Sequence, residues 1–214
     1  MIGEFEIRGI YTGKVAPLGP HGELSAIVKT QRPGAIAVTF DQFGDDEVYD
    51  LKHHGGRHRV LHQYANEHYA FWQNKFPQPS NNFLAGSYGE NICSAGMTEK
   101  DMCIGDIVEI GTAVLQVSEP RYPCGTLNLR YQNNQYLKEL LLQTSWGWFY
   151  RVLKEGAISA SDRGIIIQRL HPELSLDKAI DIMMKRNQNR QLIEKLSTCL
   201  ELSPKWREKI SRFV

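Results

Sequence analysis

Along the first 125 residues the apolar positions come in short runs broken by glycine, proline and asparagine. That is the pattern of strands and turns rather than of long helices. "SAIVKT" and "AIAVTF" are β-branched runs on either side of Gln31-Arg32-Pro33-Gly34, a turn signal. "GDIVEIG" and "AVLQVSE" read as a hairpin turning near Gly111-Thr112, with Ile107, Glu109, Val114, Gln116 and Ser118 alternating against apolar neighbours. One stretch departs from this text. In "VLHQYANEHYAFWQNKF" the residues Leu61, Tyr64, His68, Phe71, Trp72 and Phe76 approximate a three-four spacing, which predicts one helix ended by Pro77. Many short strands with one or two inserted helices point to a β-barrel rather than a doubly wound sheet.

After residue 133 the pattern changes. "QYLKELLLQT" predicts a helix, and "GAISASDRGIIIQRL" returns to strand-like text. Past "RLHPELS" the chain reads as helices. Ser175 is the expected N-cap for a stripe of Leu176, Ala179, Ile180, Met183 and Met184. Leu192, Ile193, Leu196 and Leu200 supply a middle helix. Ser203-Pro204 opens a third, with Trp206, Ile210 and Phe213 on its inner face. The expected organisation is a mainly β barrel domain over residues 1–170 with inserted helices, then a C-terminal three-helix subdomain over 171–214.

Composition narrows the function classes. With 42% hydrophobic residues and a net charge of +1, nothing global favours nucleic acid or an anionic membrane surface. Residues 175–214 hold nine Lys and Arg against five Asp and Glu, but the signs alternate along faces expected to be solvated. No nucleic-acid or membrane partner is expected. Met183, Met184 and Trp206 are expected to dock on the barrel or on a second copy, which makes a homodimer one expectation. Glu4, Glu6 and Arg8 stand where a leader would need an apolar run, so the expected location is cytoplasmic. Cysteines 93, 103, 124 and 199 form no metal-ribbon spacing, and a reducing compartment argues against disulfides.

Three stretches carry candidate chemistry. In "KHHGGRHRVLHQY", Gly55-Gly56 ahead of an expected helix would let backbone N–H groups converge on an anion, with Arg57, His58 and Arg59 adding charge. A glycine turn with solvated basic residues is the alternative; a zinc site of His53, His54, His58 and His62 lacks the usual spacing. In "GSYGENI", Gly86 and Gly89 bracket a turn that presents Glu90 and Asn91, a hydrogen-bonding pair suited to a heterocycle and also ordinary turn chemistry. In "EPRYPCGTLNLR", Pro123 and Gly125 confine Cys124 between Arg121 and Arg130. Such a thiol is a small core side chain, a nucleophile or a metal ligand.

Taken in this order, "HHGG", "GENI", "GDIVEIG…LQVSEPRYPC" and the tail after "SWGWFYRVLKEG" resemble the MOSC family, the molybdenum cofactor sulfurase C-terminal domain, in particular its stand-alone bacterial YiiM-type members. The resemblance runs from about residue 8 to the C-terminus. It implies a β-barrel that binds the molybdenum cofactor with Cys124 as the thiolate ligand to molybdenum. It further implies phosphate and pterin contacts from His54, Gly55, Gly56, Arg57, Arg59, Glu90, Asn91, Arg121 and Arg130. The implied activity is reduction of N-hydroxylated small molecules, such as hydroxylaminopurines or amidoximes, with electrons from a separate reductase. A non-catalytic carrier of the cofactor or of sulfur is the alternative. His54 and Asp45 are the candidates for moving a proton to the departing oxygen. The chain departs from many relatives in two places: Arg57-His58 follows HGG where Pro-Asp is common, and Gly44-Asp45-Asp46-Glu47 stands for G-D-x-Q.

Overall fold

The computed structural model describes residues 2–77 and 82–214. In chain order the strands are β1 (Gly3–Thr12), β2 (Ala16–Leu18), β3 (Glu23–Ser25), β4 (Thr30–Gln31), β5 (Ile36–Val38), β6 (Leu61–Ala65), β7 (Ile92–Ala95), β8 (Ile107–Ile110), β9 (Ala113–Pro120), β10 (Trp148–Lys154), β11 (Gly156–Ile158) and β12 (Arg163–Gln168). Seven of them close a mixed barrel in the order β1-β12-β8-β9-β10-β6-β7 and back to β1. Closure leaves few free edges, which is how an all-round hydrogen-bonded sheet avoids pairing with other chains. β4 extends the end of β1, while β2–β3 and β5–β11 form separate two-stranded ribbons.

The hairpin expected at Gly111-Thr112 is β8–β9, with Ile110 opposite Ala113 and Gly111 at φ +58°. The two runs around Pro33 do not pair with each other. β4 pairs with β1 and β5 with β11, and residues 26–29 between β3 and β4 pair with no strand among the described residues.

The single helix expected over "VLHQYANEHYAFWQNKF" is a strand followed by a helix. Leu61–Ala65 is β6, and only α2 (Glu67–Lys75) is helical. All five β6 residues are buried, so no polar face marks the period of two. Gln63 is satisfied inside the protein, whereas His62 Nε2 is buried without a hydrogen-bond partner among the described residues. Gln63 donates to the Ser94 hydroxyl (2.6 Å) and accepts from Tyr150 (2.8 Å); the His62 amide donates to Asn91 Oδ1 (3.0 Å). β6 runs parallel to β7, with Gln63 opposite Ile92. A parallel pair needs a crossover rather than a tight turn, and α2 supplies it.

The helices α3 (Thr126–Tyr131) and α4 (Tyr136–Leu141) follow β9, and the tail folds as α5 (Leu176–Met183), α6 (Arg190–Thr198) and α7 (Pro204–Ser211). Leu176, Ala179, Ile180 and Met183 are buried as expected, but Leu200 lies beyond α6 and is exposed. Ser203 caps α7 by accepting from the Trp206 amide, while the Ser175 hydroxyl donates instead to Asp177 Oδ1 (2.6 Å). The tail is joined to the barrel by backbone hydrogen bonds from Ile104 to Leu174 (2.9 Å), Leu176 to Met102 (2.9 Å) and Ser203 to Ser118 (3.0 Å). Its apolar residues belong to the same buried cluster as those of the barrel. Among the described residues no helix is long and apolar enough to cross a membrane.

Candidate functional site

A cavity of about 300 Å³ lies between residues 26–29, the loop after Asp46, β6 and the segment after β9. A second, of about 640 Å³, opens between the barrel and α7. His54, Arg59, Cys124 and Phe149 line both, so the thiol stands where the two cavities meet.

The local sequence explains where Cys124 stands. The Arg121 amide donates to the Gly147 carbonyl (3.0 Å), carrying the strand pairing one residue past β9. Tyr122 then meets Trp146 edge-on with ring centroids 5.2 Å apart, and Pro123 is buried. Cys124 follows, half-buried, with its carbonyl accepting from the Leu127 amide (3.2 Å).

Arg121 is 8% exposed and lies 4.6 Å over the Tyr88 ring. Its Nη1 is buried without a hydrogen-bond partner, and among the described residues no carboxylate pairs with it. A buried guanidinium without a counter-charge is expensive, by several kcal/mol on the general scale for buried ions, unless something anionic joins it.

The other buried charges on this wall are satisfied. Lys29 pairs with Asp46 at 2.5 and 2.6 Å. Asp46 also accepts from the Gly13 amide (2.6 Å) and from Asn91 Nδ2 (2.8 Å). Burial pulls the Lys29 ammonium below its ordinary value, with Asp46 opposing. Arg59 donates to Glu119 Oε1 (2.5 Å), whose other oxygen takes the Ser203 hydroxyl at the head of α7. Burial raises Glu119, and Arg59 works against the shift.

His54 ends α1 (Leu51–His54) and is half-buried; burial first, then Arg121, holds its imidazole below the ordinary range. Gly55 and Gly56 therefore follow a helix instead of preceding one, with Gly55 as its C-cap. The expected anion site at a helix N-terminus is absent because the next element is the strand β6. Gly56, at φ +102°, turns the chain toward it.

The remaining expected residues divide sharply. Asn91 lines the cavity and spans it with three bonds, to Asp46, the Tyr11 carbonyl and the His62 amide. Glu90 is fully buried behind the wall, where Tyr69 and the Gly86 amide donate to Oε1 (both 2.6 Å) and burial raises its carboxyl. That bond holds the Gly86–Gly89 turn, and a Cβ at Gly89 (φ +84°) would lie 2.7 Å from Ile27. Three more residues, beyond Glu90 and the two glycines, are not brought to the cavity. Asp45 accepts from Thr12 (3.0 Å) and faces Lys14 and Arg32 on the surface. Arg57 is exposed and pairs with Asp41 (2.8 Å), and Arg130 rests near the Tyr131 ring. The histidines diverge as well: His53 binds Asp50 at 2.7 Å, while His62 is buried within β6.

Lys29, Asp46, His62 and Phe149 line the site without having been expected there. Asp46 is adjacent to the expected Asp45, and an acidic pair after a glycine was its only signal. Lys29 gave none, because lysine is almost always exposed unless paired.

The chain is thus a closed mixed barrel with Cys124 and Arg121 on one cavity. The chain belongs to the MOSC domain family, whose model matches residues 50–163. It is 32% identical over 92% of its length to "Protein YiiM" of Escherichia coli K12, covering 87% of that protein. It is 33% identical to the uncharacterized protein YflK of Bacillus subtilis over 95% of its length and 91% of YflK. A protein named "Reductase" from Gibberella moniliformis is 34% identical over 90% of this chain, which spans only 34% of that protein. The crystal structure of YiiM from Geobacillus stearothermophilus superposes with a TM-score of 0.81 at 30% identity, covering 98% of both chains. MOSC domains are associated with the molybdenum cofactor.

Proposed function

We propose that this protein is a molybdenum-cofactor-dependent reductase of N-hydroxylated small molecules, with Cys124 as the protein ligand to molybdenum. The observation that supports it best is the pairing of Cys124 with Arg121 on one wall: a soft donor beside a buried cation that lacks an anion. A thiolate suits a soft metal centre, and guanidinium suits phosphate or other oxyanions. By that test the residues present fit the group. Arg121 would meet its anionic part, Asn91 keeps one Oδ1 lone pair for its heterocycle because both amide hydrogens go to Asp46 and the Tyr11 carbonyl, and Lys29–Asp46 fixes the wall beside Asn91.

When bound, the cofactor supplies the two-electron chemistry that takes oxygen from an N-hydroxylated substrate. The balance is one N–O bond broken, two electrons and two protons consumed, and amine and water released. The electrons come from a separate donor. The protein's task is to orient, to exclude bulk water and to deliver protons. His54 is the candidate for delivery, and its lining both cavities while half-exposed supports that reading. Its lowered proton affinity makes the imidazolium a stronger acid than a free histidine, ready to give up a proton taken from solvent. The wider cavity beside α7 is left for the substrate.

Elemental analysis of protein purified from a cofactor-competent host, followed by an assay with reduced viologen as donor and an N-hydroxylated base as acceptor, tests this. Stoichiometric molybdenum with acceptor-dependent oxidation is expected. Molybdenum without turnover on any N-hydroxylated compound would establish the carrier reading instead, and protein without molybdenum would overturn both.

A further inference from the structure

Away from the cavities, three side chains of metal-ligating type converge where the tail meets the barrel. His171 lies just past β12, and Cys199 and Glu201 lie in the turn between α6 and α7. One donor atom from each lies within 4.8 Å of the other two. Both hydrogen bonds inside the group end on a single carboxylate oxygen: His171 Nε2 is 2.8 Å from Glu201 Oε2, and the Cys199 thiol donates to the same atom at 3.5 Å. That order rules against an activated nucleophile. The histidine does not touch the thiol, and burial pushes the thiol up to about 11.

The surroundings hold these groups in place. Gly105, at φ +81° before β8, packs its Cα against them, and a Cβ there would lie 3.0 Å from Glu201 Cγ and 3.3 Å from His171 Cδ2. Arg151 donates to the Glu201 carbonyl, fixing the backbone of that ligand. Cys199 is 6% exposed, so its thiol belongs to the interior of the junction. Arg151 and Arg207 are the nearby cations, and a thiolate with a carboxylate would balance a divalent ion despite them.

We infer that His171, Cys199 and Glu201 form a binding site for a zinc-like divalent cation that staples the tail to the barrel. A mixed N, S and O donor set of three suits Zn²⁺, with water as the fourth ligand. On binding, the Cys199 thiol releases its proton to solvent as the sulfur–metal bond forms, and His171 presents a deprotonated nitrogen. No electron moves. Affinity therefore rises with pH. Because His171 and Glu201 flank the α5–α6 hairpin, the ion crosslinks the two ends of the tail against Gly105 of the barrel.

Titrating metal-free protein with Co²⁺ and then Zn²⁺ tests the site. One equivalent of Co²⁺ is expected to give a near-ultraviolet thiolate-to-cobalt band that Zn²⁺ displaces, and Zn²⁺ at a hundredfold excess over Kd should raise Tm by about 5–10 °C. Cys124→Ser should keep the band and Cys199→Ser should lose it. Glu201→Gln, which keeps the size of the side chain, should weaken binding at least about tenfold while leaving the circular dichroism unchanged. A band lost in Cys124→Ser but kept in Cys199→Ser would overturn the assignment. So would wild-type protein that binds neither ion at pH 8, or a folded Glu201→Gln with undiminished affinity.

Discussion

Arg59 and Arg121 are both arginines at the rim of the same cavity, yet they are treated in opposite ways. Arg59 has its carboxylate: Glu119, itself held by the Ser203 hydroxyl, links β9, the approach to β6 and the head of α7 into one charged joint. Arg121 has an aromatic ring on one face, an unpartnered N–H, and no carboxylate among the described residues. A buried ion with its partner belongs to the architecture, whereas a buried ion without one waits for a ligand. The same contrast separates Cys93, buried in β7 with its thiol pushed far up by burial, from Cys124 at the cavity wall.

Substitutions can break or sharpen that contrast. The largest effect is expected from Cys124→Ser, which should abolish molybdenum content and turnover while leaving the fold intact; metal content equal to wild type would remove Cys124 as the ligand. Next comes the pair itself. Glu119→Gln should cost about 3–5 kcal/mol in denaturant unfolding, because it strands Arg59 and loosens α7. Arg121→Met should hold or raise the Tm of cofactor-free protein yet weaken cofactor retention by about tenfold to a hundredfold. If Arg121→Met were as destabilising as Glu119→Gln, Arg121 would be architecture too.

Two smaller effects depend on pH. His54 has a folded-state value below the ordinary one of about 6.5, so kcat/KM should fall as pH rises through that lowered value, and His54→Gln should flatten the profile. His62 is held neutral chiefly by burial and then by Arg121. The unfolded chain binds the proton more readily, so its contribution to stability is present above about pH 6.5. That contribution is lost on acidification at up to about 1.4 kcal/mol per pH unit. Chemical unfolding between pH 7 and 5, with His62→Asn as the flattened control, checks the sign. The smallest effect is expected at Asp45: Asp45→Asn should change turnover less than about twofold, as surface ion pairs contribute little.

Legibility followed exposure. β8 and the α5 stripe could be read directly, because each has one face in water and one in the core; β9 keeps its alternation of polar and apolar residues although Gln116 and Ser118 are buried, so it is not the half-buried strand expected. β6 could not, since burial on both sides puts His62 and Gln63 among apolar neighbours, with the partners of Gln63 on β7 and β10. Misreading β6 as the start of a helix also misplaced the glycine pair, turning a helix C-cap into an expected anion site.

By itself the sequence determined the family, the barrel, the three tail helices and the singular setting of Cys124 between proline and glycine. These depend on local motifs and short periods that adjacent residues carry. Only the tertiary structure decided which charges face the cavity. Asp46 was chosen over Asp45, Arg121 over Arg57 and Arg130, and Glu90 was sent behind the wall. A charged side chain's role depends on whether its counter-charge arrives from a distant segment. For Arg59 it did, from Glu119; for Arg121 none arrives among the described residues.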